Sequence, residues 1–276
     1  MGILLGAIAA VLFGTSDVLA ARGSRTDRPI AVTRTALLIA LVFTPLFLAL
    51  KPWHIDGADL AYSCLSGMFN AGALLGLYIG YTKAPMGVVA PLASVLTAMV
   101  PVFVDLLRGN GLSGLAAIGV VVGLVAVALS TYQPGGRGSI RNALLIGSAA
   151  GVGFGLAFSF LDLTSSQAGL APVPIQRLVG LVVLTLVHPL VKAKWIILSG
   201  PARKYAVGTG LLAGLAMGSL QLGYRFGDAG PVSVAASQFA AVTVLLAAVV
   251  NHERLRWWQG AGLALASVGV ALMALG

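Results

Sequence analysis

Long apolar runs separated by short polar connections repeat along the whole chain. A helix needs roughly 20 apolar residues to cross the hydrocarbon core of a bilayer, and ten runs approach that length. No run has the strict alternation that is typical of membrane β-strands. The pattern therefore predicts an all-α integral membrane protein with ten transmembrane helices, over residues 3–21, 30–50, 60–82, 85–107, 112–131, 141–163, 171–191, 204–224, 230–250 and 257–275.

The composition agrees with lipid as the main solvent. Of the 276 residues, 58% are hydrophobic and only 9% are charged, whereas soluble domains carry about 25% charged residues. The net charge of +9 comes mostly from Lys and Arg in the connections, and no basic helix face suits a nucleic acid. We therefore expect a multi-pass protein of the cell membrane that contacts lipid and binds no nucleic acid.

Basic residues also predict an orientation. The odd-numbered connections hold twelve Lys and Arg residues and the even-numbered connections hold three. Cytoplasmic connections carry the excess of Lys and Arg in membrane proteins. The odd-numbered connections are therefore predicted in the cytoplasm, with both termini outside.

The chain contains two similar halves, which we assign to residues 1–136 and 137–276. Because each half holds five runs, the second half must enter the membrane in the opposite direction. Such inverted repeats are common in secondary transporters, where solute binds near the midplane between the halves. The matched residues are Gly6 and Gly147, Ala10 and Gly151, Phe13 and Phe154, Gly14 and Gly155, Arg34 and Arg177, and Tyr78 and Gln221.

Residues 83–103 and 228–275 share a further pattern. Each begins with Ala-Pro or Gly-Pro and continues as a run of small residues, and the second copy adds the turn His252-Glu253-Arg254-Leu255 and a Gly-rich final run. This doubled pattern resembles the EamA domain of the drug/metabolite transporter superfamily over almost the whole chain. The resemblance implies a ten-helix secondary transporter of a small metabolite, with alternating access and export as the expected direction.

Two departures from this pattern limit what the resemblance implies. The first copy has Leu107-Arg108-Gly109-Asn110 at the turn and therefore lacks the counterpart of Glu253. The shorter multidrug-resistance relatives carry a glutamate in their first helix, at the position of Val11 in this sequence. Their proton-coupled drug export therefore gains no support here.

Other classes of function have weaker signals. The chain has no GxxxxGK[ST] motif, so we expect no ATP hydrolysis. Its three His, one Cys and eight acidic residues are scattered, which predicts no enzyme activity, no cofactor and no metal site. A channel or a non-transporting receptor is the alternative to a carrier. A proton or a sodium ion is a possible coupling ion for a carrier.

Asp17 is the leading candidate for solute or ion binding. It lies on the helix face of Ala10 and Gly14, and charges inside membranes usually mark a pathway. Pairing with an arginine or an interfacial position would also explain it. Arg34 and Arg177 either reach the interface or face an anionic group. Uncharged candidates for the cavity, or for interhelical hydrogen bonds, are Ser16, Asn70, Tyr78, Ser94, Ser159, Gln176, Gln221, Tyr224, Ser237 and Gln238.

Glycines at four-residue spacing form three ladders along the apolar runs. Small residues at this spacing let helix backbones approach closely. Close packing is the predicted role, and sliding of helices during transport is the alternative. The ladders are Gly72, Gly76 and Gly80; Gly147, Gly151 and Gly155; and Gly210, Gly214 and Gly218.

Overall fold

The protein is a bundle of α-helices in a computed structural model that describes residues 1–50, 52–107, 113–131, 140–190, 193–227, 232, 235–250 and 256–275. Within these ranges the chain forms ten α-helices and no β-strand, as the sequence predicted. The turn at residues 252–255 and the boundary between the two assigned repeats lie outside them. The helices are α1 (Gly2–Thr26), α2 (Pro29–Phe43), α3 (Gly57–Lys83), α4 (Met86–Leu107), α5 (Gly114–Thr131), α6 (Ile140–Asp162), α7 (Pro172–Leu186), α8 (Ala202–Phe226), α9 (Phe239–Val250) and α10 (Trp257–Leu275).

Six helical segments in the described ranges are long and apolar enough to cross a membrane. Four more apolar helices are shorter over the residues described. The six segments indicate a multi-pass membrane protein, whereas ten spans stay a prediction. The six are Gly2–Thr26, Pro29–Ala49, Gly57–Lys83, Leu144–Asp162, Pro172–Leu190 and Ala202–Phe226.

Helices α2 and α7 end before the ends of the apolar runs predicted at 30–50 and 171–191. The 3-10 helix Thr44–Ala49, which includes Pro45, follows α2, and the 3-10 helix His188–Leu190, which includes Pro189, follows α7. Proline has no amide N–H for the α-helical hydrogen bond and its ring clashes with the preceding turn. The two related helices therefore end in the same way.

The most extensive helix contacts join the two halves of the chain. Helix α1 packs along α8 and α3 packs along α6; α2 contacts α8 while α7 contacts α3; and α1 contacts α9 while α6 contacts α4. Helix α5 packs against α10. When α1–α5 are exchanged for α6–α10, the two contacts in each of the first three pairs change places. The contact between α5 and α10 maps onto itself. The packing is therefore paired across the halves.

Two interhelical hydrogen bonds repeat this pairing. The Ser66 hydroxyl of α3 donates to the Ala157 carbonyl of α6 at 2.6 Å. The Thr209 hydroxyl of α8 donates to the Ser16 carbonyl of α1 at 3.4 Å. Ser66 and Thr209, and likewise Ser16 and Ala157, occupy corresponding positions in the two halves. Small polar residues are frequent at helix contacts in membranes because they combine close approach with hydrogen bonding.

Large apolar side chains cover much of the outside of the bundle, as on Val121, Leu124 and Leu145. An apolar surface of this extent suits lipid better than water. Val11 is 55% exposed and belongs to this surface. The position at which the multidrug-resistance relatives carry glutamate therefore faces away from the bundle interior.

A polar cluster joins the beginning of α3, the connection between α6 and α7, and the end of α8. The Asp59 carboxylate accepts hydrogen bonds from the Ser165 N–H at 2.6 Å and the Ser165 hydroxyl at 2.8 Å. The Arg225 guanidinium donates to the Thr164 carbonyl at 3.0 Å and to the Gly169 carbonyl at 3.2 Å. Asp59 is buried and lies within electrostatic range of Arg225. The cluster holds the α6–α7 connection against both halves.

We predict that Asp59→Ala lowers the free energy of unfolding by about 3 kcal/mol. The substitution removes both acceptors from Ser165 and takes a carboxylate away from the partly buried Arg225, and loss of one partner from a buried charged group has about this effect. Thermal unfolding of the detergent-solubilised protein measures it.

Asp27→Ala is the matched control for Asp59→Ala. Asp27 pairs with Lys194 at 3.1 Å, and the Lys194 side chain is 66% exposed. Exposed ion pairs contribute less than about 1 kcal/mol. Equal shifts of the unfolding midpoint in the two variants would contradict the role given to the cluster.

Candidate functional site

A cavity between helices of both halves contains about 400 Å³ free of protein atoms, part of which is open to the outside of the bundle. It lies beside the centre of α3, where Asn70 is the middle residue of Gly57–Lys83. Helices α1 and α3 supply one part of its lining, and α6 to α9 supply the rest. The lining residues are Phe13, Ser16, Asp17, Asn70, Leu74, Leu77, Tyr78, Phe154, Phe158, Arg177, Ala213 and Phe239.

Asp17 lines this cavity and is only 5% exposed. Its Oδ2 accepts hydrogen bonds from the Tyr81 hydroxyl at 3.0 Å and from the Thr243 hydroxyl at 3.3 Å. Asp17 therefore lies inside the bundle and not on its surface. The structure also shows no ion pair between Asp17 and an arginine in the part of the chain that it describes. The carboxylate is held by two hydroxyl donors from α3 and α9.

Arg177 lines the same cavity and is 1% exposed, so its side chain stays inside the bundle. Its Nη2 donates to the Ala213 carbonyl at 3.3 Å, while its Nε is buried without a hydrogen-bond partner. The Tyr78 hydroxyl lies within electrostatic range of both Asp17 and Arg177. One cavity therefore contains an acidic residue, a basic residue and a tyrosine.

Arg34 corresponds to Arg177 in the first half but has a different environment. It is completely buried, so its guanidinium does not extend to the surface of the bundle. Its Nε and Nη2 donate to the Leu184 carbonyl at 3.0 and 2.8 Å, and its Nη1 lies 2.9 Å from His188 Nδ1. Cations are favourable at the carboxyl end of a helix, where carbonyl groups lack helical partners. Arg34 therefore holds the end of α7 and does not line the cavity.

The structure places five of the thirteen predicted site residues on the cavity: Ser16, Asp17, Asn70, Tyr78 and Arg177. Ser94, Gln176 and Gln221 instead form hydrogen bonds to other segments of the chain. Their partners are the Ser237 carbonyl at 3.0 Å, the Ser66 hydroxyl at 2.7 Å and the Thr164 hydroxyl at 3.3 Å, respectively. The Gln176 bond joins α7 to α3, which is the interhelical alternative that the sequence also allowed. Four other predicted residues also lie outside the lining: Ser159, Tyr224, Ser237 and Gln238.

Sequence reasoning missed the aromatic part of the cavity. The Phe13 and Phe158 rings stack with centroids 6.3 Å apart, and the Phe13 and Phe239 rings meet edge to face at 6.5 Å. Phe154 lies 6.0 Å from Phe158. The repeat carried the signal, because Phe13 matches Phe154 and Asp17 matches Phe158 at the same offset of 141 residues.

The model of the EamA-like transporter family matches residues 1–132. This match, together with the apolar helices of the bundle, indicates a membrane transporter of the drug/metabolite transporter type. Residues 1–132, just under half of the chain, are thus similar to the EamA-like transporter family, which is a family of transporters. The resemblance seen in the sequence is thus confirmed over residues 1–132.

A solved structure, described only as "Crystal structure of protein", has the same fold. It is 18% identical to this chain with a TM-score of 0.69, and the alignment covers 99% of this chain and 96% of that one. No curated protein matches the chain. The likeness supports the arrangement of the helices and carries no statement about the solute.

Proposed function

We propose that this protein is a secondary transporter that binds a small solute in the cavity and exposes it alternately to the two sides of the membrane. The observation that carries the proposal is that both halves of the chain contribute residues to the cavity lining. Asp17 and Asn70 come from the first half, whereas Arg177 and Phe158 come from the second. A solute held by both halves would change its access when one half moves against the other.

The paired packing supports two inverted repeats, residues 1–136 and 137–276, as the moving parts. Contacts between α1 and α8 and between α3 and α6 are related by exchange of the halves. Two nearly equivalent halves have two nearly equivalent ways to pack, and switching between them opens opposite sides. Ten membrane crossings follow from this proposal, with five in each repeat.

We further propose export across the cell membrane as the direction of transport.

Asp17 is the acidic residue of the cavity lining. Carboxylates inside membrane proteins are frequent sites of proton relay and ion binding. Asp17 is therefore the residue through which a proton or a sodium ion would couple to transport.

Counterflow in proteoliposomes tests the proposed carrier. Purified protein, reconstituted with a panel of labelled amino acids, sugars and their derivatives, is expected to show saturable uptake. Unlabelled solute on the opposite side should accelerate this uptake, because the binding site of a carrier reorients faster when solute is bound. Single-channel currents in planar bilayers, or solute binding without flux, would instead support a channel or a receptor.

A further inference from the structure

Two hydrogen-bond donors in the cavity have no partner in the protein. The Asn70 Nδ2 and the Arg177 Nε are buried and unpaired, and both residues line the cavity. Buried polar groups in folded proteins are nearly always hydrogen-bonded, because an unpaired donor has lost its water without replacement. Both unpaired groups are donors, so the missing partner is an acceptor.

The two charged residues of the cavity provide a second, independent observation. Asp17 and Arg177 line the same buried space but form no ion pair with each other in the described structure. Charges of opposite sign attract strongly where water is scarce. Their separation leaves one acidic and one basic side chain without a partner of opposite charge in the described structure.

The charge of the ligand follows from these groups. A carboxylate suits the guanidinium of Arg177 and the amide of Asn70, since charge-assisted hydrogen bonds to guanidinium are short and strong. A phosphate dianion would bring excess negative charge close to Asp17, and a neutral sugar would leave both protein charges without a counterion. A solute with one charge of each sign complements both residues.

The polarity of the residues that line the cavity provides a third observation. Positions that are polar in the first half are apolar in the second: Asp17 corresponds to Phe158, and Asn70 corresponds to Ala213. All four residues line the cavity. The polar groups of the lining come from α1, α3 and α7, whereas apolar side chains come from α1, α3, α6, α8 and α9 and form most of its surface. A few polar groups in a largely apolar lining suit a solute with a polar end and an apolar body.

We infer that the transported solute is a small zwitterion with an apolar body. Its carboxylate binds to Arg177 and Asn70, its cationic nitrogen faces Asp17, and its apolar part packs against Phe154 and Phe158. The inference rests on the proposed function, because it takes the ligand of the cavity to be the transported solute.

Binding of matched probes to the purified protein in detergent tests the inference. The probes are phenylalanine, tryptophan, leucine and methionine, each compared with its carboxamide and with its decarboxylated amine. The best of the four acids is expected to bind about 10- to 100-fold more tightly than its own carboxamide or amine, the range for loss of a charge-assisted hydrogen bond. Equal affinity for acid and carboxamide, or no binding of any zwitterion, would overturn the inference.

Substitutions in the cavity test which residues bind the carboxylate of the solute. Asn70→Leu and Arg177→Gln are each expected to weaken binding of the acid about 10- to 100-fold and to leave binding of the carboxamide nearly unchanged. Arg177→Lys keeps the charge and serves if Arg177→Gln does not fold. Arg34→Gln is the contrast, since Arg34 donates to the Leu184 carbonyl; its acid-to-carboxamide ratio should be that of the unmodified protein. An unchanged ratio in both Asn70→Leu and the folded Arg177 variant would overturn the inference.

Flux measurements separate this inference from the proposed function. Tight, carboxylate-dependent binding without counterflow would support the zwitterion site and overturn the carrier. Counterflow of glucose or glucose 6-phosphate, in a protein that binds none of the four zwitterions, would keep the carrier and overturn the zwitterion.

Discussion

Replacement of Asp17 by Asn is expected to lower solute counterflow about 100-fold. The carboxylate is buried in the cavity lining, and a charged hydrogen bond there contributes about 2–3 kcal/mol, which corresponds to about 100-fold in affinity. Asparagine keeps the shape of the side chain, and its Oδ1 can accept the hydrogen bonds from Tyr81 and Thr243. Folding should therefore be preserved, and the lost charge accounts for the change in flux.

The Asp17→Asn variant also distinguishes a solute site from an ion site. A solute contact predicts that counterflow and net uptake fall together. A coupling-ion site predicts that counterflow persists, while net uptake no longer responds to an imposed pH or sodium gradient. Asp27→Asn is the control, because Asp27 follows the same helix and pairs with the exposed Lys194. Counterflow and gradient response both unchanged in Asp17→Asn would contradict any role of this residue in transport.

Gly151→Leu is expected to lower the free energy of unfolding by about 3 kcal/mol. A Cβ at Gly151 would lie 2.6 Å from the Ala93 carbonyl oxygen and 2.8 Å from the Leu96 Cβ. Because the first of these atoms belongs to the backbone, α6 and α4 would have to separate. Overpacking of this kind typically lowers stability by about 1–3 kcal/mol. Thermal unfolding in detergent, with the yield of folded protein, measures the loss.

Gly72→Leu is the matched control for Gly151→Leu. Both glycines belong to ladders with four-residue spacing, but a Cβ at Gly72 has no atom within 4 Å. The variant should fold with nearly unchanged stability. Normal stability with slow counterflow in Gly151→Leu would instead favour the alternative in which the glycine face slides during transport.

Much of the fold could be predicted because the bilayer leaves few choices. Backbone groups in hydrocarbon must be paired within the segment, so an apolar run of sufficient length forms a helix. Each of the ten predicted runs overlaps one of the ten described helices. The exact ends of α2 and α7 were missed, although Pro45 and Pro189 were visible in the sequence. Both apolar runs extend past the proline, and hydropathy carries no information on the missing N–H that ends the helix.

The candidate site was only partly predictable for a different reason. Polarity within an apolar run shows that a side chain avoids lipid, but it does not show which neighbour it meets. Gln176 and Arg177 are adjacent in α7, yet Gln176 bonds to Ser66 on α3 while Arg177 faces the cavity. Phe158 was overlooked because phenylalanine in an apolar run satisfies every expectation for a lipid-facing residue.

The sequence by itself determined the class of protein and its helices, because lipid as solvent selects helices. It also predicted two related halves from their matched residues. The tertiary structure decided what each matched residue does. Arg34 and Arg177 occupy equivalent positions, yet one binds the end of α7 and the other faces the cavity. The difference arises because contacts between helices depend on side chains far apart in the chain, which no local pattern specifies.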